Sequence, residues 1–231
     1  MKLLLIVATD LVSASCSNPD GYDAGDYVEC PDQSFMKGWC ASGEVRDCCG
    51  GSCSHQLLCC TDFIVPRKEC YLKSGDAGQY IVCDRSSAVV GTCGSGKNRD
   101  CNARFLSQMY NQTGIMVDEE ELRDGSLRES STLAFCCAHD LKVSDYGYWQ
   151  HAGCGWDLEC RPSQIVTGIC GSGKNADCQN PPNVRGEESV QENPIHRSVR
   201  QETVRQGNNP EQRGCSQNDR YTAIYCVDVI P

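Results

Sequence analysis

At 231 residues with 20 cysteines, 7% aromatic content and a net charge of −10, the chain is sized for one large domain or two to three small ones. It lacks the Lys/Arg excess that neutralising nucleic-acid phosphates requires. Its apolar fraction is 39% with cysteine counted and roughly 30% without it, too thin a core to hold the fold alone.

Cysteine at this density marks a disulfide scaffold in an oxidising compartment, where each bridge contributes about 2–4 kcal/mol by restricting the unfolded chain. The N-terminus agrees. Residues 1–14 carry Lys2, an apolar run from Leu3 to Val12 and small residues up to Ala14, the pattern of a secretory signal peptide. Asp10 interrupts that run, and a buried N-terminal strand is the competing reading. No later stretch reaches the ~18 apolar residues of a membrane span. The expectation is a soluble, secreted, extracellular protein.

Further along, one pattern recurs three times with fixed spacing: C-x7-G-x-C-x-S-G-x3-D-C. The first copy uses Cys30, Gly38, Cys40, Ser42, Gly43, Asp47 and Cys48. The second uses Cys83, Gly91, Cys93, Ser95, Gly96, Asp100 and Cys101. The third uses Cys160, Gly168, Cys170, Ser172, Gly173, Asp177 and Cys178. A further cysteine precedes each copy (Cys16, Cys70, Cys154), and an apolar stretch ending in cysteine closes it. Three Cys-rich repeats follow, at 16–62, 70–140 and 154–231. Their cysteine counts are even, so each could close its own bridges, although the spacing leaves the pairing open.

Within each repeat the local signals are β. "SSAVVGTC" and "SQIVTGIC" are β-branched runs, "TLAFCC" and "YTAIYC" read as return strands, and the Ser, Gly, Asn and Asp between them are turn residues. The predicted fold is therefore mostly β: three tandem disulfide-stapled small β units with long loops and at most one short helix. That helix falls in the insert at 102–131, where Phe105, Leu106, Met109 and Tyr110 have helical spacing. An acidic run, Asp118–Glu121, follows it and reads as a solvated face. The same insert carries Asn111 in an N-glycan acceptor triplet. The insert at 179–213 is polar, lacks aromatic residues and reads as a mobile loop. It includes "RSVR" at Arg197–Arg200, a candidate processing site.

"GTCGSGKN" from Gly91 and "GICGSGKN" from Gly168 resemble a phosphate-binding loop. Asn98 and Asn175 stand where the Mg²⁺-binding hydroxyl belongs, and the first repeat has Glu44 at the lysine position. Nucleotide binding is not expected. Ser95, Asn98 and Asp100, with Ser172, Asn175 and Asp177, gather oxygens that could suit calcium. Asp and Asn capping their own turn is the simpler account. No cofactor is expected, with calcium the one candidate. Zinc on cysteine with His55, His139 or His151, and a thiol nucleophile, are both disfavoured by the oxidising compartment and even parity. No hydrolase motif is present, and no enzyme activity is expected.

Between the second and third repeats, "DYGYWQHAGCGW" concentrates Tyr146, Tyr148, Trp149 and Trp156. Exposed, these rings would bind sugar or protein; buried, they would pack the repeats together. The expected function is a secreted, non-enzymatic structural or lectin-like role in an extracellular matrix, coat or wall. Its partner would be a glycan, a matrix polymer or another secreted protein. The alternative is a secreted defence or inhibitor protein acting through an exposed loop on a protease or membrane.

Overall fold

Every unit lays down its strands in one order, and every unit gives one strand away. The computed structural model describes residues 15–19, 22–23, 25–41, 48–63, 65–94, 101, 132–153, 157–171, 178, 181–182 and 222–230. The first unit forms β1 (Cys16–Ser17), β2 (Tyr27–Glu29), β3 (Phe35–Ala41) and β4 (His55–Cys60). The second forms β5 (Cys70–Gly75), β6 (Tyr80–Val82), β7 (Ser87–Gly94) and β8 (Thr132–Ala138). The third forms β9 (Lys142–Ala152), which lies ahead of Cys154, then β10 (Leu158–Glu159), β11 (Gln164–Gly171) and β12 (Thr222–Ile230). No described residue is helical. The fold is all β, with three disulfide-stapled units; residues 105–110, where a helix is expected, lie outside the described set.

The strands build three antiparallel four-stranded sheets, ordered β1-β4-β3-β10, β5-β8-β7-β2 and β9-β12-β11-β6. In each, a central strand pairs with its own return strand. On its other side it receives a short strand from a different unit. Unit three gives β10 to the first sheet, unit one gives β2 to the second, and unit two gives β6 to the third. The exchange closes in a ring.

A bulge at the same place in each central strand fixes the seam. The register shifts past Lys37, Val90 and Thr167, and the carbonyls of these extra residues accept from the incoming chain. Cys160 N–H donates to Lys37 O at 2.9 Å, Cys30 N–H to Val90 O at 2.7 Å and Cys83 N–H to Thr167 O at 2.8 Å. The glycine that follows the bulge has a steric reason. A Cβ at Gly91 would stand 2.8 Å from Val28 O, one at Gly168 would stand 3.0 Å from Ile81 O, and one at Gly38 would collide with Leu158 O. The fixed glycine of the repeat is where the donated strand crosses.

Each donated strand leads into its central strand through a tight turn. Gln33, Ser86 and Ser163 hold the left-handed conformation, with φ of 65°, 65° and 62°. The next N–H closes each turn onto the carbonyl of Pro31, Asp84 or Arg161.

The inner faces of all three sheets share one core, with Val28, Met36, Leu57, Val89, Ile169 and Ile224 among its members. Trp39 occupies its centre, and the glycines ending the other two central strands make room for it: a Cβ at Gly94 or Gly171 would lie 3.2 or 2.9 Å from its ring. Lys37, buried beside this core, donates to Asp62 Oδ2 at 2.9 Å and to Gln164 O at 2.8 Å. It ties unit one to unit three.

All described bridges close within a unit. The first and second units share three: Cys16–Cys60, Cys30–Cys59 and Cys40–Cys48 match Cys70–Cys137, Cys83–Cys136 and Cys93–Cys101. The third has Cys160–Cys226 and Cys170–Cys178, and Cys49–Cys53 is an addition in the first. Cys154, which the sequence groups as the counterpart of Cys16 and Cys70, lies outside the described residues. By register that counterpart is Gly147, opposite Val227, where a Cβ would come within 2.6 Å of the Tyr225 ring and of Cys226 O. The third sheet has no outer bridge at this position.

Candidate functional site

The cyclic exchange gives the molecule three equivalent outer faces, which differ in what covers the bulge glycine. Three side chains meet there: the residue of the donated segment facing the second motif cysteine, the return-strand residue opposite the glycine, and its edge-strand neighbour. On the third face these are Tyr80, Tyr225 and Trp149. Trp149 stacks edge-on to Tyr80 at 4.6 Å and tilts against Tyr225 at 5.0 Å between ring centroids. Tyr80 Oη also meets His151 Nε2 at 3.0 Å. This face is paved with aromatic rings.

The second face carries Tyr27, Phe135 and Leu72 at the same places. Tyr27 and Phe135 meet edge-to-face at 6.1 Å, and burial pushes the Tyr27 hydroxyl well above the ordinary phenol range. This face too is closed.

On the first face Leu58 lies opposite Gly38, and Asp157 and Asn18, one residue beyond the paired Leu158 and Ser17, line the same place. None is aromatic, and a cleft of about 140 Å³ remains. Asn18, Gln56, Asp157 and Glu159 supply its polar groups, and Leu58 and Leu158 its apolar surface. Glu159 O accepts a hydrogen bond from Gln150 Nε2 at 3.1 Å, which holds the short β10 wall in place. Gln56 Nε2 donates to Pro19 O at 3.4 Å. The cleft therefore offers carboxylate acceptors, amide donors and a patch of leucine in one concavity, a combination suited to a small polar ligand with one apolar side.

The counterpart of Glu159 on the second face is Glu29. There Arg67 Nη1 sits 2.6 Å from Glu29 Oε1. Burial raises the Glu29 carboxyl, and the Arg67 guanidinium opposes that shift. The third face has Val82. No lysine or arginine is among the described residues that line the cleft of the first face.

The framework cysteines Cys30, Cys40, Cys48, Cys83, Cys93, Cys101, Cys160, Cys170 and Cys178 are all bridged, and no described cysteine is free. Cys93 and Cys170, inside the loops that resemble phosphate sites, pin those loops by bridges to Cys101 and Cys178. Ser95, Asn98, Asp100, Ser172, Asn175 and Asp177 lie outside the described residues, as do Asn111, Trp156, residues 1–14 and most of the two inserts. Among the described residues, Cys16, Cys60 and Asp62 bring ligand-type atoms together. The two sulfurs are bonded to each other, and Asp62 is held by Lys37.

The aromatic set is split up. Trp149, 9% exposed, paves the third face, while Tyr146 is 61% exposed on the edge strand. Tyr148 donates to Gln164 Oε1 at 2.9 Å, with the Arg161 guanidinium 5.7 Å from its ring centre. His55 and His139 are buried, and burial lowers both from the usual imidazole value, His55 to about 4.

Sequence reading by cysteines alone misses the cleft residues. A signal was available: the four residues ending at Cys30, Cys83 and Cys160 read "YVEC", "YIVC" and "DLEC". The third copy drops the tyrosine, and the first face is where the gap opens. Comparison of the chain with protein-family models, with curated proteins and with solved structures finds no match.

Proposed function

We propose that this protein is a secreted, non-enzymatic scaffold that binds an extracellular glycan, in a matrix, coat or wall, through its first face. One observation carries the reading. Three faces share one architecture; the second and third are covered by their own side chains, and the first leaves a concave site lined by amide and carboxylate groups beside leucine. Glycan recognition needs that mixture, because sugar hydroxyls exchange hydrogen bonds with amides and carboxylates while the C–H faces of the ring lie on apolar surface.

The bridged units support an extracellular setting. Their disulfides belong to oxidising compartments, and no described helix is long and apolar enough to cross a membrane. The test is retention of the oxidised protein on immobilised polysaccharides, with an Asp157→Tyr variant alongside. The reading expects retention of the parent on at least one matrix and its loss in the variant. Equal behaviour of the two proteins on every matrix would contradict it.

A further inference from the structure

We infer that Cys40, Cys48, Cys49 and Cys53 form a thiol–disulfide relay, a site of exchange with an external small-molecule dithiol. The Cys49–Cys53 bridge is the bond that the dithiol opens, and Cys53 then passes the free thiol on to Cys40. The relay goes beyond glycan binding and does not depend on it.

The bridge belongs to the first unit alone: Asn102 and Gln179 stand after Cys101 and Cys178, where Cys49 follows Cys48. It encloses only Gly50, Gly51 and Ser52, all exposed, and Cys49 itself is half-buried. Cys16 is exposed as well, but its bridge to Cys60 spans 44 residues against 4 for Cys49–Cys53. By loop-closure entropy the short span adds least to folding, so its reduction leaves the fold standing. Cys49, Gly50 and Gly51 are all left-handed, with φ of 55°, 68° and 97°. A residue with a Cβ disfavours that conformation, and opening the ring frees Cys49 to leave it.

The two bridges also touch. Cys40, Cys48 and Cys53 form one buried cluster, with Cys49 packed against it. Cys48 and Cys53 exchange both backbone hydrogen bonds, at 3.0 and 3.3 Å. Such a pair has its Cα atoms about 5.5 Å apart and its side chains on one face, within the range a disulfide needs. Cys48 and Cys53 are therefore placed to bond to each other as well as to their present partners.

In the first step the dithiol gives up two electrons and two protons and becomes a disulfide, while Cys49 and Cys53 become thiols. In the second, the Cys53 thiolate attacks Cys48 Sγ. The Cys48–Cys53 bond forms, the Cys40–Cys48 bond breaks, and Cys40 leaves as a thiolate that takes up the proton Cys53 gave. This step needs no further reductant. Cys40 lines the first-face cleft, so the relay ends at the cleft wall.

The experiment is native-state reduction of the full oxidised chain with dithiothreitol, trapped by N-ethylmaleimide and mapped by peptide mass spectrometry. Label should appear on Cys49 with Cys53, and on Cys49 with Cys40 beside a Cys48–Cys53 bridge. It should do so at least about tenfold faster than at the bridges outside this cluster, with the circular dichroism of the sheets unchanged. In Cys49→Ser, which leaves Cys53 free, label should divide between Cys53 and Cys40 without reductant. Cys49→Ser combined with Cys53→Ser should leave Cys40 unlabelled. Reduction of the long-span bridges at an equal rate would overturn the relay, and so would label confined to Cys53 in Cys49→Ser.

Discussion

Asp157 occupies on the first face the position that Tyr80 occupies on the third: each lies three residues before the cysteine of its donated segment, Cys160 and Cys83, Tyr80 opposite Cys170 and Asp157 one residue before Leu158, which pairs with Trp39. One molecule thus carries its own control. The tyrosine closes a face against the bulge glycine, and the aspartate leaves one open. Restoring the ring should fill the cleft without disturbing the sheet. Asp157→Tyr is expected to fold, to melt within a few degrees of the parent and to lose ligand binding. A folded variant that binds as well as the parent contradicts the assignment.

The bulge glycines should be intolerant for a backbone reason. In Gly91→Ala the new methyl meets Val28 O at 2.8 Å, and the donated strand must move or detach. The expected cost is roughly 1–3 kcal/mol, as for other overpacked sites, read by urea denaturation of the oxidised protein. A change below about 0.5 kcal/mol would be ordinary surface behaviour and would show that the seam is looser than its geometry.

His55 sits at the place held by Thr132 and Thr222 on the other return strands. Those threonines bond across to the next unit, Thr132 to Gly171 O and Thr222 to Ala41 O, each at 3.1 Å. His55 is buried instead; burial lowers it to about 4, with Asp26 and Asp23 opposing. A folded value below the unfolded 6.5 means the stability is present above pH 6.5 and lost as pH falls towards 4. The loss is about 3 kcal/mol at the low end. His55→Thr should flatten the melting temperature between pH 7 and 4 relative to the parent, as measured by calorimetry. An unchanged slope would place the acid sensitivity elsewhere.

The bridges should contribute unequally. Cys70–Cys137 spans 67 residues and Cys49–Cys53 spans 4. Loop-closure entropy makes removal of the first pair, by alanine at both positions, costlier by about 2 kcal/mol. Guanidinium melts of the two double variants give the comparison. Equal losses would mean that native packing, and not the unfolded chain, governs the difference.

The scaffold was legible in the sequence to the extent that cysteine and glycine carry it. Seven fixed positions, thrice repeated, disclosed three β units and the central and return strands. The exchange of β2, β6 and β10 was not legible, because each is only two or three residues long and pairs across units. Its trace was the glycine at 38, 91 and 168, whose purpose appears only when a foreign backbone is seen crossing it. Trp149, Tyr146 and Tyr148 drew notice as an exposed platform or as packing. Alternation along β9 sends them to different surroundings, and Trp149 seals a face. The open cleft was invisible because it is made by absent rings, at Asp157, Leu58 and Asn18.

The most direct measurement of the central claim is the amide spectrum of ¹⁵N-labelled oxidised protein titrated with a soluble oligosaccharide of the polysaccharide that retains it. The account predicts shifts at Asn18, Gln56, Leu58 and residues 157–159, with Leu72, Phe135, Tyr80 and Trp149 unmoved. Shifts centred on the aromatic faces, or none at the first face with binding shown by calorimetry, would contradict it.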